Sequence, residues 1–187
     1  MDAEVMEVLD ILVLAVTLAV CAIFWHWTAK REKGMPPPVS QLDCYGWNPG
    51  MILAPARDWW RWQFYVYLAS LVMGAGWIVY IVADTDNADI ITSAFVAGEI
   101  GIGLFGLTVF LYFGAQRFIA AGKSPLWIFA MMGIAFFSAK GFEAIFASDA
   151  AYILSEMVFI AILIYIGTLR DKEPRAELTG GDNAAAA

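Results

Sequence analysis

The stretch that decides the fold is Phe136-Phe137-Ser138-Ala139-Lys140-Gly141-Phe142-Glu143-Ala144-Ile145-Phe146. It places a lysine and a glutamate within a run that is otherwise apolar enough to cross a lipid bilayer. Charged side chains in hydrocarbon are costly, so those that occur there usually face a bundle interior, a water-filled cavity or a partner. The stretch therefore predicts a transmembrane helix whose two charges have a structural or functional reason.

The composition extends this interpretation to the whole chain. Of its 187 residues, 61% are hydrophobic and 16% are charged, whereas a soluble domain has about 45–50% apolar and about 25% charged residues. A water-soluble core of this size could not bury that excess. We expect one integral membrane domain over residues 1–169, with a cytoplasmic loop at 30–61, and a polar, disordered cytoplasmic tail at 170–187.

Apolar runs separated by polar turns predict an all-α fold with five transmembrane helices. Each predicted span has at least about 17 residues, the minimum that crosses about 30 Å of hydrocarbon. The spans cover residues 11–27, 64–83, 90–115, 126–147 and 151–169. The third span is rich in glycine, which lets neighbouring backbones approach closely in lipid. We therefore expect spans two to five to form a compact bundle, with the third helix at its centre and the first more peripheral.

The basic residues predict which ends of the helices face the cytoplasm. If all five spans cross, one side collects ten of the eleven Lys and Arg residues, all except Lys140. The loops on the other side carry aspartate and glutamate and no base. Because Lys and Arg in short loops stay in the cytoplasm, the N-terminus is predicted outside and the C-terminus inside. We place the protein in a prokaryotic plasma (inner) membrane.

Four ionisable residues lie inside the predicted spans: Glu99, Lys140, Glu143 and Glu156. At about 1.5 Å per residue, all four lie in the outer half of the membrane. When all are ionised, three carboxylates and one ammonium leave two uncompensated negative charges, which is costly in a medium of low dielectric constant.

Three interpretations of this cluster follow. Lys140 could compensate one or two glutamates, so that the cluster fixes helix register. The excess charge could instead bind a proton, a cation or a cationic ligand from outside. In the third, the helices are rotated apart and these residues meet a partner subunit.

A second candidate site precedes the second span. Arg57, Trp59, Trp60 and Arg61 could contact a lipid or quinone head group at the cytoplasmic interface. The simpler interpretation of the tryptophans is interfacial anchoring, because tryptophan concentrates at membrane–water boundaries.

No catalytic or cofactor motif occurs in the sequence. The one histidine, His26, provides neither a Ser-His-acid set nor the paired ligands of a haem or copper centre. The two cysteines, Cys21 and Cys44, form no C-x-x-C pair. A net charge of −7 argues against binding nucleic acid. We therefore predict no enzyme activity, no metal and no cofactor.

These observations favour a non-catalytic, multi-pass membrane protein that is an accessory or structural subunit of a larger membrane protein complex. Its predicted partners are the lipid bilayer and other membrane subunits, in a hetero- or homo-oligomer. One alternative is a small proton- or cation-coupled transporter or channel that uses the Glu/Lys cluster. The other is a membrane sensor or regulatory protein that signals through residues 30–61 or the tail.

Overall fold

A computed structural model describes residues 3–40, 51–83, 88–146 and 148–172 of the chain. Within these ranges the chain forms five α-helices, which confirms the all-α prediction. They are α1 (Ala3–Arg31), α2 (Ala56–Ala83), α3 (Ala88–Ala120), α4 (Trp127–Ile145) and α5 (Ser148–Thr168). The described β-pairing is a single isolated bridge between Val39 and Ile52 in the loop that precedes α2.

Four of these helices contain stretches long and apolar enough to cross a membrane, which indicates a membrane protein. The stretches are Ile11–Arg31, Phe95–Ala120, Trp127–Ile145 and Ala150–Thr168. They overlap the predicted spans 11–27, 90–115, 126–147 and 151–169. The predicted span 64–83 lies within α2, and its crossing of the membrane stays a prediction.

The helices begin and end where local chemistry allows. α2 begins directly after Pro55, whose carbonyl accepts a bond from the Asp58 amide at 3.0 Å, as suits proline at a helix start. α3 ends at Ala120, and Gly122 in the turn that follows has a φ of 68°. The amide of Lys123 then bonds back to the Phe118 carbonyl at 2.8 Å. Glycine takes this left-handed conformation without steric cost, so it ends the helix.

The centre of the bundle differs from the prediction. α5 packs against all four other helices, whereas α3 packs against α2, α4 and α5 only. α1 is also less peripheral than predicted, because it packs extensively along α2. The glycines of α3 explain part of the difference: Gly101 and Gly103 face open space, with no atom within 4 Å of a built Cβ. Glycine richness therefore marked close packing along only part of this helix.

Tight packing is concentrated at one end of the bundle, the end predicted to face the cytoplasm. Trp59 and Trp60 are fully buried there. Trp60 stacks on Phe24 with ring centroids 4.7 Å apart, and Trp59 lies 5.7 Å from the ring of Phe110. Trp60 also covers Gly167, where a Cβ would overlap the indole. Two adjacent indoles of α2 thereby join α1, α3 and α5 in one layer.

An ion pair between Arg117 and Asp171 joins the end of α3 to the segment that follows α5. Arg117 is fully buried, and its Nη1 donates to a carboxylate oxygen of Asp171 at 2.7 Å. Its Nη2 donates to the carbonyl of Leu169, and the amide of Lys172 donates to the Ala120 carbonyl at 2.7 Å. The start of the predicted tail is thus held against α3, while residues 173–187 lie outside the described residues.

The loop that precedes α2 is anchored at the same end. Gln116 accepts a hydrogen bond from the Ala54 amide at 2.6 Å. The buried carboxylate of Glu32 accepts one from the Arg57 amide at 3.2 Å. These bonds satisfy backbone donors near the start of α2 and hold the loop against the ends of α1 and α3. Residues 41–50, which include Cys44, lie outside the described residues.

Replacing Arg117 with methionine should lower the free energy of unfolding by about 3–5 kcal/mol, because the nearly buried Asp171 carboxylate would lose its ion pair with Arg117. Arg170→Met is the matched control, since Arg170 is exposed and its loss should change stability by about 0.5 kcal/mol or less. Unfolding in mixed detergent, followed by circular dichroism, measures both. Equal stabilities of the two variants would contradict the structural role of Arg117.

Candidate functional site

A cavity of about 480 Å³ lies between α2, α3, α4 and α5. α2 lines it with Gln63, Val66, Tyr67 and Ser70, whose spacing of three and four residues puts them on one helical face. The face that α3 contributes runs from Glu99 to Phe110. The volume lies within the range of about 300–1,000 Å³ that is typical of small-molecule sites.

Glycines on α3 both bring the helices together and leave the cavity open. A Cβ at Gly106 would lie 2.9 Å from Val66 of α2, and one at Gly114 would lie 2.5 Å from Ile128 of α4. Gly103 also lines the cavity, but no atom lies within 4 Å of a Cβ built there. Gly106 and Gly114 therefore set the helix spacing, and Gly103 leaves volume unfilled.

The two ends of the cavity differ in exposure. Gln63 is only 3% exposed, and its Nε2 has no hydrogen-bond partner among the described residues. Glu99, at the other end, is exposed. Between them Ser70 donates to the Val66 carbonyl at 3.2 Å. The cavity is therefore closed at Gln63 and open at Glu99, and exposed residues of α3 and α4 also line it between these ends.

The distance between these ends follows from the helix contacts. Val66 and Gly106 lie at the same level of the antiparallel pair α2 and α3. Gln63 precedes Val66 by one turn, and Glu99 precedes Gly106 by two turns in the opposite direction. At a rise of about 1.5 Å per residue, Gln63 and Glu99 are separated by about 15 Å along the bundle axis.

The structure brings together one pair from the intramembrane charge cluster. The Nζ of Lys140 lies 2.6 Å from a carboxylate oxygen of Glu143, one turn along α4. Both side chains are more than half exposed, at 59% and 57%. Among the described residues, Lys140 pairs with Glu143 and with no other carboxylate.

The remaining two glutamates lie near the cavity. Gly114 of α3 contacts Ile128 of α4, so these two residues lie at the same level. Glu99 on α3 and Glu143 on α4 are each about 23 Å from that level along their helices, so the two glutamates share a depth. Glu99 nevertheless forms no ion pair with any residue in the described ranges. Glu156 is half-buried on α5 and interacts electrostatically with Tyr67, which lines the cavity.

The predicted head-group site needs a correction. Trp59 and Trp60 are fully buried in the closed end of the bundle, so their indoles are not available to a lipid or quinone. The Nη2 of Arg61 lies 3.3 Å from a carboxylate oxygen of Asp58, and its guanidinium lies over the ring of Trp62. Contact with a head group stays a prediction for Arg57 and Arg61. The run of tryptophans resembled an interfacial belt because sequence alone does not show that α2 turns two of them inward.

No family model, curated protein or solved structure is significantly similar to the chain. In the parts of the chain that the structure describes, no three His, Cys, Asp or Glu side chains converge as metal ligands. Cys21 is a free, buried thiol in the core.

Sequence reasoning missed the cavity itself. Gln63 was its best signal, since a glutamine amide that becomes buried usually has a hydrogen-bond partner. The glycine at position 103 was a second signal, but it was interpreted as a packing contact.

Adding a methyl group at Gly106 should destabilise the bundle by about 1–3 kcal/mol, because it forces Val66 away. Gly103→Ala is the matched control, since it makes the same change on the same helix where no atom lies within 4 Å. Both variants gain the same helix propensity, so the difference between them isolates packing. Melting temperatures in mild detergent measure it, and equal values would contradict the close approach of α2 and α3.

Proposed function

We propose that this protein is a non-catalytic, multi-pass membrane protein that acts as an accessory or structural subunit of a larger membrane protein complex. In this proposal all five helices cross a prokaryotic plasma membrane, with the N-terminus outside and the C-terminus in the cytoplasm. The charge distribution between the loops supports that orientation.

The observation that carries the proposal is the exposed ion pair Lys140–Glu143 on α4. α4 has 19 residues, so at about 1.5 Å per residue it only just crosses about 30 Å of hydrocarbon. Lys140 then lies about 8 Å from the outer end at Ile145, within the apolar stretch. Phe137, one turn away from Lys140, is 73% exposed. No described helix of the chain covers this face.

An uncovered charge in the hydrocarbon region is unfavourable, at about 2.5–3.5 kcal/mol for a lysine at a helix centre and less near the end. Pairing with Glu143 reduces this cost but leaves hydrogen-bonding atoms of both side chains unsatisfied in lipid. A second transmembrane helix with polar side chains at this depth would satisfy them. Because the pair carries no net charge, the partner we propose is a polar helix of a different chain rather than a charged one.

Native mass spectrometry after mild detergent extraction should find foreign membrane subunits in stoichiometric amounts with this chain. The double variant Lys140→Leu/Glu143→Leu should lose those subunits, since it removes the pair without changing net charge. Asp58→Leu/Arg61→Leu is the matched control, because it removes an ion pair of the same spacing from α2 and should retain them.

Two results would contradict the proposal. One is that the wild-type chain is a monomer or contains only copies of itself. The other is that both double variants keep the same foreign subunits. The folded state of each variant is checked by its melting temperature.

The second candidate function is a small proton- or cation-coupled transporter. The observation that favours it is the carboxylate of Glu99 at the open end of a cavity that reaches Gln63. A monomer or a homo-oligomer in native mass spectrometry would favour this candidate over the subunit.

A further inference from the structure

We propose that the cavity between α2, α3, α4 and α5 binds an elongated amphipathic organic cation. Its cationic group would lie at Glu99, its apolar body along α3 and α4, and a hydrogen-bond acceptor at Gln63. This inference does not depend on whether the chain is a subunit or a transporter.

The buried end of the cavity lacks a hydrogen-bond acceptor. The side chain of Gln63 is buried, with 3% exposure, and its Nε2 has no hydrogen-bond partner among the described residues. Buried amide groups are nearly always hydrogen-bonded, because leaving one unpaired loses the hydration it had in water. A carbonyl, ether or hydroxyl oxygen on a ligand would accept from this nitrogen.

The open end of the cavity lacks a cation. Glu99 is four residues into the apolar stretch that begins at Phe95, which is about 6 Å from its start. Lys140, which lies within about one helical turn of this depth on α4, is already bonded to Glu143 at 2.6 Å. An ammonium group on a ligand would neutralise the Glu99 carboxylate in a region where charge is poorly solvated.

The walls between the two ends fit an apolar body. They are formed by aliphatic and aromatic side chains of α3 and α5, such as Ile102 and Phe159, and by Met131 and Met132 of α4. Methionine side chains adapt to irregular ligands. The two polar ends are separated by about 15 Å along the bundle axis, which is close to the extended length of a dodecyl chain.

The test uses hydroxydodecyl-trimethylammonium, which has an ammonium group at one end and a hydroxyl oxygen at the other. Equilibrium binding of the radiolabelled compound is measured on the full chain in nanodiscs of neutral lipid, with binding to empty nanodiscs subtracted. We expect saturable binding, at least about tenfold tighter than that of uncharged dodecanediol, because only the quaternary ammonium offsets the charge of the Glu99 carboxylate in a medium of low dielectric constant.

Matched variants locate the bound compound. Gly103→Leu should abolish saturable binding, because the new side chain enters open cavity volume. Gly101→Leu should retain it, since position 101 is exposed and does not line the cavity. Glu99→Gln should remove the preference for the cation over the diol. Gln63→Leu should weaken binding of both compounds by about fivefold, the effect of one lost hydrogen bond.

Several results would overturn the proposal. These are the absence of saturable binding, equal loss of binding in Gly103→Leu and Gly101→Leu, and a cation preference that survives in Glu99→Gln. Should Gly103→Leu fail to fold, the Glu99→Gln and Gln63→Leu measurements still decide the outcome. Neither changes the volume of the closed core around Trp59 and Trp60.

Discussion

The fully buried guanidinium of Arg117 is the constraint on which the closed end of this bundle depends. A guanidinium stays charged in proteins, so it can be buried only with a counter-charge and acceptors for its donors. Asp171 supplies the counter-charge and accepts from Nη1, and the Leu169 carbonyl accepts from Nη2, while Nε has no partner among the described residues. Leu169 and Asp171 directly follow α5 in the chain. The bonds that Arg117 donates to them therefore hold the end of α5 against the end of α3.

Close packing at the Arg117 end of the bundle leaves room for an open cavity at the opposite end. The buried indoles of Trp59 and Trp60 complete the closed layer, and Gly106 and Gly114 then bring α3 against α2 and α4. Beyond Gly106, no atom lies within 4 Å of a Cβ built at Gly103, and the cavity includes this open space. The closed end thus provides the stability that lets the open end hold unfilled volume and a carboxylate.

Much of the architecture could be predicted from the sequence, because hydrophobicity and length determine helices in lipid directly. The four apolar helices and the turn at Gly122 follow from such local signals. The cluster of Glu99, Lys140, Glu143 and Glu156 could be placed at a common depth, since depth depends only on position along a helix. Which of these residues contact one another could not be predicted, because contacts depend on the rotation of each helix about its axis. Lys140 reaches Glu143 on its own helix, while Glu99 faces the cavity.

The same reason explains why Trp59, Trp60 and Gly103 were misjudged. Tryptophan in a membrane protein occurs both at interfaces and in cores, and glycine occurs both at contacts and beside cavities. Residue type alone does not separate these environments. The separation comes from the packing of α2 against three other helices, which is a property of the whole chain.

The most direct test of the proposed orientation, with the closed end in the cytoplasm and the cavity open to the outside, is thiol labelling from one side. Ser70→Cys places a thiol in the cavity, and Ser124→Cys places one in the exposed turn before α4. A cationic, membrane-impermeant methanethiosulfonate is applied to intact cells, with the unsubstituted chain giving the background from Cys21 and Cys44. Position 70 should react in intact cells, and position 124 only after the membrane is permeabilised. Reaction of position 124 in intact cells, or no reaction of position 70 in either condition, would contradict this arrangement.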